Sequence, residues 1–209
     1  KDLQQMSEGT SANSVKKTIE SRIQQVLGYQ KLLDKLVSAA KSGSIKAVDL
    51  DRFQGQKLSF SAATRSEYIL KVGKSGSAKG KWASLSFKDR WTLLSKSRLS
   101  AEQWLQLAQL SHDADAESLA ERSLIKAWKD RKQRPEVNRL LALFRGTDSP
   151  EDGYQLYKGK FVTAEEKVNL RKGRVLFRGQ WVPKKDKYHL ERNHEKIKGR
   201  WVPLTEDQL

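Results

Sequence analysis

The chain has 209 residues, 41 Lys and Arg against 25 Asp and Glu, a formal charge of +16 and no cysteine, which excludes disulfides and thiol chemistry. No stretch approaches the roughly 20 apolar residues that a membrane helix needs. Hydrophobic residues make up 37% and charged residues 32%, the balance of folded pieces joined by solvated segments.

The charge is unevenly placed. Residues 1–51 hold 8 Lys/Arg against 6 Asp/Glu, 52–98 hold 11 against 2, 99–153 hold 8 against 10, and 154–209 hold 14 against 7. Two basic segments thus flank a slightly acidic one, which a uniform bias for solubility does not produce. Such segments concentrate anions, whether nucleic acid, acidic glycan, anionic lipid or acidic protein. A solvated basic surface without a ligand gives the same count.

Residues 1–13 (KDLQQMSEGTSAN) are polar and aperiodic and read as a loose lead-in. From Ser14, Ile19, Ile23, Val26, Gln30, Leu33, Val37 and Ala40 recur at steps of four and three. This predicts an amphipathic helix of about 25 residues that ends at Lys41-Ser42-Gly43-Ser44. Its stripe packs either on the protein's own core or on a second helix in a coiled coil through 14–41, with Gln30 at a seam position. Residues 1–49 form this first region.

Over 50–98 the signals change to a small basic β module and the first helix of an array. Lys57-Leu58-Ser59-Phe60-Ser61 and Glu67-Tyr68-Ile69-Leu70-Lys71-Val72 read as strands. The run Lys74 to Gly80 reads as a turn or flexible loop, and Lys81-Trp82-Ala83-Ser84-Leu85 as the returning strand. Ser86 opens a helix bearing Trp91, Leu93 and Leu94.

A helical array is predicted over 99–146. Ser100-Ala101-Glu102-Gln103 is a capping box, Asp115 is placed to cap the next helix, and Pro135 suits the first turn of the last, ahead of Gly146. The tryptophans at helical spacing read as core rather than as ligand platforms.

After a linker at 147–153, the tail 154–209 repeats with a period of 20. Tyr157-Lys158-Gly159-Lys160-Phe161-Val162-Thr163 recurs as Phe177-Arg178-Gly179-Gln180-Trp181-Val182-Pro183 and as Ile197-Lys198-Gly199-Arg200-Trp201-Val202-Pro203. Each copy predicts a two-stranded hairpin turning at the basic-Gly pair, followed by a short helix. Thr163-Ala164-Glu165-Glu166 is a capping box for the first of these helices, and the third unit breaks off at 205–209. Twenty residues cannot fold alone, so the units stack on each other, dock on the array or order on a partner. Phe161, Trp181 and Trp201 read as aromatic anchors of the repeats, although the two tryptophans also have the basic setting in which rings stack on bases or sugars. The fold class predicted is therefore α+β, mainly helical: an amphipathic helix, a small β-sheet, a helical array and C-terminal ββα repeats.

The tail unit, basic-Gly-x-aromatic-Val-Thr/Pro followed by a Glu-rich helix, resembles short repeats of secreted or envelope proteins of planctomycete-type bacteria. Residues 58–145, with Trp82-Ala83-Ser84-Leu85 and the Leu105-Ala108 and Ala116-Leu119-Ala127 spacings, are similar to modules of the same proteins. The resemblance implies an accessory or interaction role and export to periplasm or cell envelope. It brings no catalytic residues. Lys1 in place of Met fits a removed leader or a fragment, and the cytoplasm remains the alternative location.

Reactive constellations are not legible. His112, His189 and His194 lack zinc-site spacing, and the five-residue step between the last two puts them off a common helical face. Val72-Gly73-Lys74-Ser75 fails as a phosphate loop because Tyr68 stands where Gly is required. No serine lies in a Gly-x-Ser-x-Gly elbow, and neither cofactor nor metal is expected. The leading expectation is a non-catalytic interaction or scaffold protein that docks on a protein partner or acidic polymer. Its contacts would come from Arg65, Lys71, Lys74, Lys79 and Lys81 in one segment and Arg174, Arg178, Lys184, Lys185 and Arg200 in the other. The alternative is a nucleic-acid-binding protein that uses the same cations mainly on phosphates, and the third is an enzyme built from dispersed residues.

Overall fold

The computed structural model describes residues 2–45, 50, 58–73 and 75–204. Lys57, Lys74 and residues 205–209 lie outside these residues. The chain is α+β and mainly helical, and it divides into two compact units at Thr147/Asp148.

The first unit opens with helix α1, Asp2–Lys41. The expected loose lead-in is helical from Asp2 onward. Its Leu, Gln, Met and Glu are good helix formers, it holds no proline, and extending an existing helix adds a hydrogen bond for each residue fixed. The end falls where the sequence places it. Gly43 takes φ 66°, its amide bonds to Ala40 O at 3.2 Å, and the Ser44 amide bonds to Ala39 O at 3.1 Å, the paired closure of a glycine-capped helix. The apolar stripe divides in two. Leu32, Leu36, Val37, Ala39 and Ala40 are buried, whereas Val15, Ile19, Ile23, Val26 and Leu27 are 43–56% exposed. Gln30 is exposed.

The sheet is an antiparallel meander of β1 Leu58–Ala63, β2 Glu67–Val72 and β3 Gly76–Lys81. The returning strand is thus the stretch that reads as a loop, and Trp82–Ser84 is a single 3-10 turn rather than a strand. The register explains the difference. Gly76, Ala78 and Gly80 stand opposite Val72, Leu70 and Tyr68 on the inward face, so β3 supplies small residues where β2 supplies large ones. A Cβ at Gly80 would lie 2.5 Å from Tyr68 Oη. The Tyr68 ring, 2% exposed, packs between Phe60 and Trp82, and Trp82 Nε1 donates to Thr64 O at 2.7 Å.

Helices α2 Phe87–Ser95, α3 Ala101–Asp113, α4 Glu117–Ala127 and α5 Arg134–Arg145 follow. Ser86 and the Ser100–Gln103 capping box act as the sequence predicts. Pro135 sits in the first turn of α5, which closes on Gly146 at φ 61°. Asp115 does not cap α4. It adopts φ 53° in the three-residue connection after α3, and the cap position falls on Ala116, which offers no side-chain acceptor. Leu93, Leu107, Ala108, Leu124, Ala127, Val137 and Leu140 are completely buried and form the core. Trp91 is buried among them, donating from Nε1 to Ser123 Oγ at 2.9 Å, so a polar ring atom inside the core is satisfied.

The second unit repeats one motif. Hairpin β4 Gln155–Tyr157 with β5 Lys160–Val162 leads to α6 Ala164–Arg171. Hairpin β6 Arg174–Phe177 with β7 Gln180–Pro183 leads to α7 Lys184–Leu190, and β8 His194–Ile197 with β9 Arg200–Pro203 closes the series. The backbone itself has the 20-residue period. Left-handed φ recurs at Gly153, Gly173 and Asn193, at Lys158, Arg178 and Lys198, and at Gly159, Gly179 and Gly199. The Lys184 amide donates to Gly173 O at 2.9 Å, and one period later the Leu204 amide donates to Asn193 O at 2.8 Å. Each helix packs on the hairpins before and after it, so no unit of 20 residues stands alone.

Candidate interaction surface

The hairpin tips carry the repeated feature of this second unit. Both central residues of each two-residue turn have positive φ: 48° and 80° at Lys158-Gly159, 46° and 80° at Arg178-Gly179, and 46° and 84° at Lys198-Gly199. That is a type I′ turn, whose twist matches the strands it joins. Its first position is cheapest for Asn, Asp or Gly, because a longer L-residue pays about 1–2 kcal/mol for the left-handed conformation. All three turns nevertheless place Lys or Arg there, exposed. In two of them the cation lies over the preceding ring: Lys158 Nζ is 5.4 Å from the Tyr157 centroid and Arg178 Cζ is 5.2 Å from that of Phe177. In the third, Ile197 replaces the ring, and the neighbouring Lys196 sits 5.5 Å from Trp201 instead. Arg178 also reaches forward to Asn193 Oδ1 at 3.3 Å.

The other tail cations named from the sequence are also exposed: Arg174, Lys184, Lys185 and Arg200. Lys184 and Lys185 open the first turn of α7 ahead of Asp186, where one period earlier α6 has Ala164, Glu165 and Glu166. Cations at a helix N-terminus oppose its dipole, at a cost of about 0.3–1 kcal/mol. Arg174 approaches Asn169 Oδ1 at 3.4 Å. Among the anchors, Phe161 is 3% exposed, whereas Trp181 and Trp201 are half-buried. The Trp201 ring stacks on His189 at 4.7 Å and 7°. Lys158 and Lys198 were absent from the sequence-derived set. Aligning the three periods on Arg178 is the signal that finds them.

In the first unit, register puts Lys71, Lys79 and Lys81 on the outward face of the sheet, with Ser59 and Ser77 opposite Lys71 and with Glu67 opposite Lys81. Lys79 pairs with Glu67 at 2.8 Å. Arg65, in the β1–β2 turn, is held by both oxygens of Asp34 on α1, at 2.6 and 2.9 Å, and this hydrogen-bonded ion pair raises its pKa further. Two of the four described candidate cations, Arg65 and Lys79, are therefore already answered by acids, while Lys71 and Lys81 face solvent.

The histidines act as flat rings. His112 stacks on Phe144 at 4.1 Å and 17°, and His194 Nδ1 lies 3.0 Å from Arg192 O. Among the described residues no three His, Asp or Glu side chains gather to hold a metal ion, and no helix is long and apolar enough to cross a membrane. The perturbed phenol is Tyr29. Burial, together with its 2.6 Å hydrogen bond to Asp113 and that group's charge, raises its pKa well above the ordinary value, and the contact ties α1 to the end of α3. No family model, no curated protein and no solved structure matches the chain.

Proposed function

We propose that this protein is a non-catalytic docking or scaffold protein whose tail grips an anionic polymer, or an acidic face of a protein partner, through periodic cationic hairpin tips. One observation carries the reading: three equivalent turns, 20 residues apart, each hold a long cation in a conformation that disfavours it. Local strain retained three times at the same position, when Asn would relieve it, points to a use for the charge. The exposed Lys184 and Lys185, which open α7 ahead of Asp186, add two further cations to the same unit and support the same reading.

The experiment is a salt titration of fluorescence anisotropy with labelled heparin, duplex DNA and single-stranded RNA. A docking tail gives saturable binding that weakens steeply with salt, about 0.7–0.9 in log–log slope for each phosphate contacted. A nucleic-acid-binding protein discriminates DNA or RNA from heparin at matched charge. A polyanion-docking protein does not. Indifference to all three leaves an acidic protein surface as the partner.

A scaffold also needs a body to hold, and the open half of α1 supports a second copy of the chain in that role. Ile19, Ile23 and Val26 hold heptad positions and are about half exposed, and Gln30 follows at the next seam position. Residues 2–27 carry three acids (Asp2, Glu8, Glu20) and three bases (Lys16, Lys17, Arg22), so two copies meet there without the repulsion expected of +16 chains.

A further inference from the structure

A cavity of about 510 Å³ opens on the first unit between α1, the 3-10 turn at Trp82, α2 and α3. Its floor is hydrocarbon and indole: Leu32, Leu36, Trp82, Trp91, Leu94 and Leu107, all nearly buried. The polar atoms on these walls are already satisfied within the protein. Trp82 Nε1 donates to Thr64 O, Trp91 Nε1 to Ser123 Oγ, and the Tyr29 hydroxyl to Asp113. An occupant gains nothing there from its own hydrogen-bonding groups and loses their hydration, so the interior selects an apolar body. The rim has the opposite character. Arg65, Lys81 and Arg90 line it, with no carboxylate among the lining residues. Arg65 is held by Asp34, while Lys81 and Arg90 are exposed, Arg90 resting 5.8 Å from the Phe87 ring.

We propose that this cavity is a binding site for a single-chain anionic amphiphile of the fatty-acid class. The hydrocarbon chain occupies the Leu/Trp floor, and the carboxylate meets Lys81 and Arg90 at the mouth. The volume lies within the range of small-ligand sites, about 300–1,000 Å³. The cationic rim gives the charge selection that a bare apolar groove lacks. The site belongs wholly to the first unit and does not depend on the tail.

The test is isothermal titration of the full chain with sodium laurate below its micelle threshold, with tryptophan fluorescence in parallel. Saturation at one site per chain with a micromolar dissociation constant is expected. Dodecyltrimethylammonium, which has the same chain and the opposite charge, should bind at least about tenfold more weakly, as should laurate to the Lys81→Glu/Arg90→Glu variant. Both rim residues are exposed, so circular dichroism should show that variant folded. As a second check, Ala83→Trp at the partly open mouth should block laurate while leaving the rim charges in place. Equal affinity for the two amphiphiles, or laurate binding unchanged by both variants, overturns the proposal. So does absence of saturation by laurate, whether or not anionic vesicles or an acidic amphipathic peptide bind instead.

Discussion

Replacing Lys158, Arg178 and Lys198 together by Asn should make the protein more stable and a weaker polyanion binder at once. The two effects have separate causes. Asn tolerates the left-handed region far better than Lys or Arg, and a gain of about 0.7 kcal/mol per turn is a moderate share of the 1–2 kcal/mol at stake. Against this gross gain of about 2 kcal/mol, the ring contacts of Lys158 and Arg178 are lost, at about 0.5 kcal/mol each for exposed pairs. The net is roughly +1 kcal/mol, which in a unit of this size raises its melting temperature by about 4–8 °C. Binding moves the other way. Three fewer cations lower the log–log salt slope by about 2 to 3 for a nucleic-acid probe, and affinity at low salt falls by orders of magnitude. Differential scanning calorimetry and anisotropy titration on the same preparations measure both. A triple variant that melts earlier, or binds heparin and DNA as the parent does, refutes the argument that the strain is retained for the charge.

Other expectations follow from single contacts. Gly80→Ala should cost about 1–3 kcal/mol in urea unfolding, because its Cβ collides with the Tyr68 hydroxyl and the Tyr68 ring is buried between two aromatic neighbours. Ile23→Glu/Val26→Glu should convert a dimer to a monomer in light scattering with little loss of helix by circular dichroism; a parent that is monomeric at high concentration removes the self-association reading. Tyr29 has a folded pKa above its unfolded value, so its contribution is complete below about pH 10 and is lost as pH rises beyond that. Unfolding titrations should show stability falling in that alkaline window, and less steeply in Tyr29→Phe. That variant should also lose up to about 1 kcal/mol at neutral pH, a bond to a charged partner discounted for its exposure.

Periodicity and caps were the parts of the fold that the sequence stated openly. The Ser100 and Thr163 capping boxes, the Gly43 and Gly146 stops and the 20-residue tail all depend on neighbours within a few positions, and local chemistry settles them. Strand β3 was not legible, because Gly76, Ala78 and Gly80 carry no strand preference of their own. Their role appears only when β2 lies alongside and Tyr68 needs the room. Asp115 shows the same limit in a turn, where a good capping residue is passed over because the α3–α4 connection needs a left-handed residue one position earlier. For the candidate surface, residue type found the cations but not their partners. Arg65 and Lys79 are committed to Asp34 and Glu67, the first from 31 residues away, and no local pattern announces that pairing.

In the tail the same bond closes the open end of a hairpin twice, Lys184 N–H to Gly173 O and Leu204 N–H to Asn193 O, and the junction between units is each helix packed on the hairpins before and after it. Because that junction reproduces itself, a whole unit can be duplicated or deleted without inventing a new interface. Under the docking role proposed above, valency would then be an adjustable quantity: each added unit would contribute one more charged fingertip, so that reach along a partner would scale with copy number while the chemistry of every single contact stayed constant.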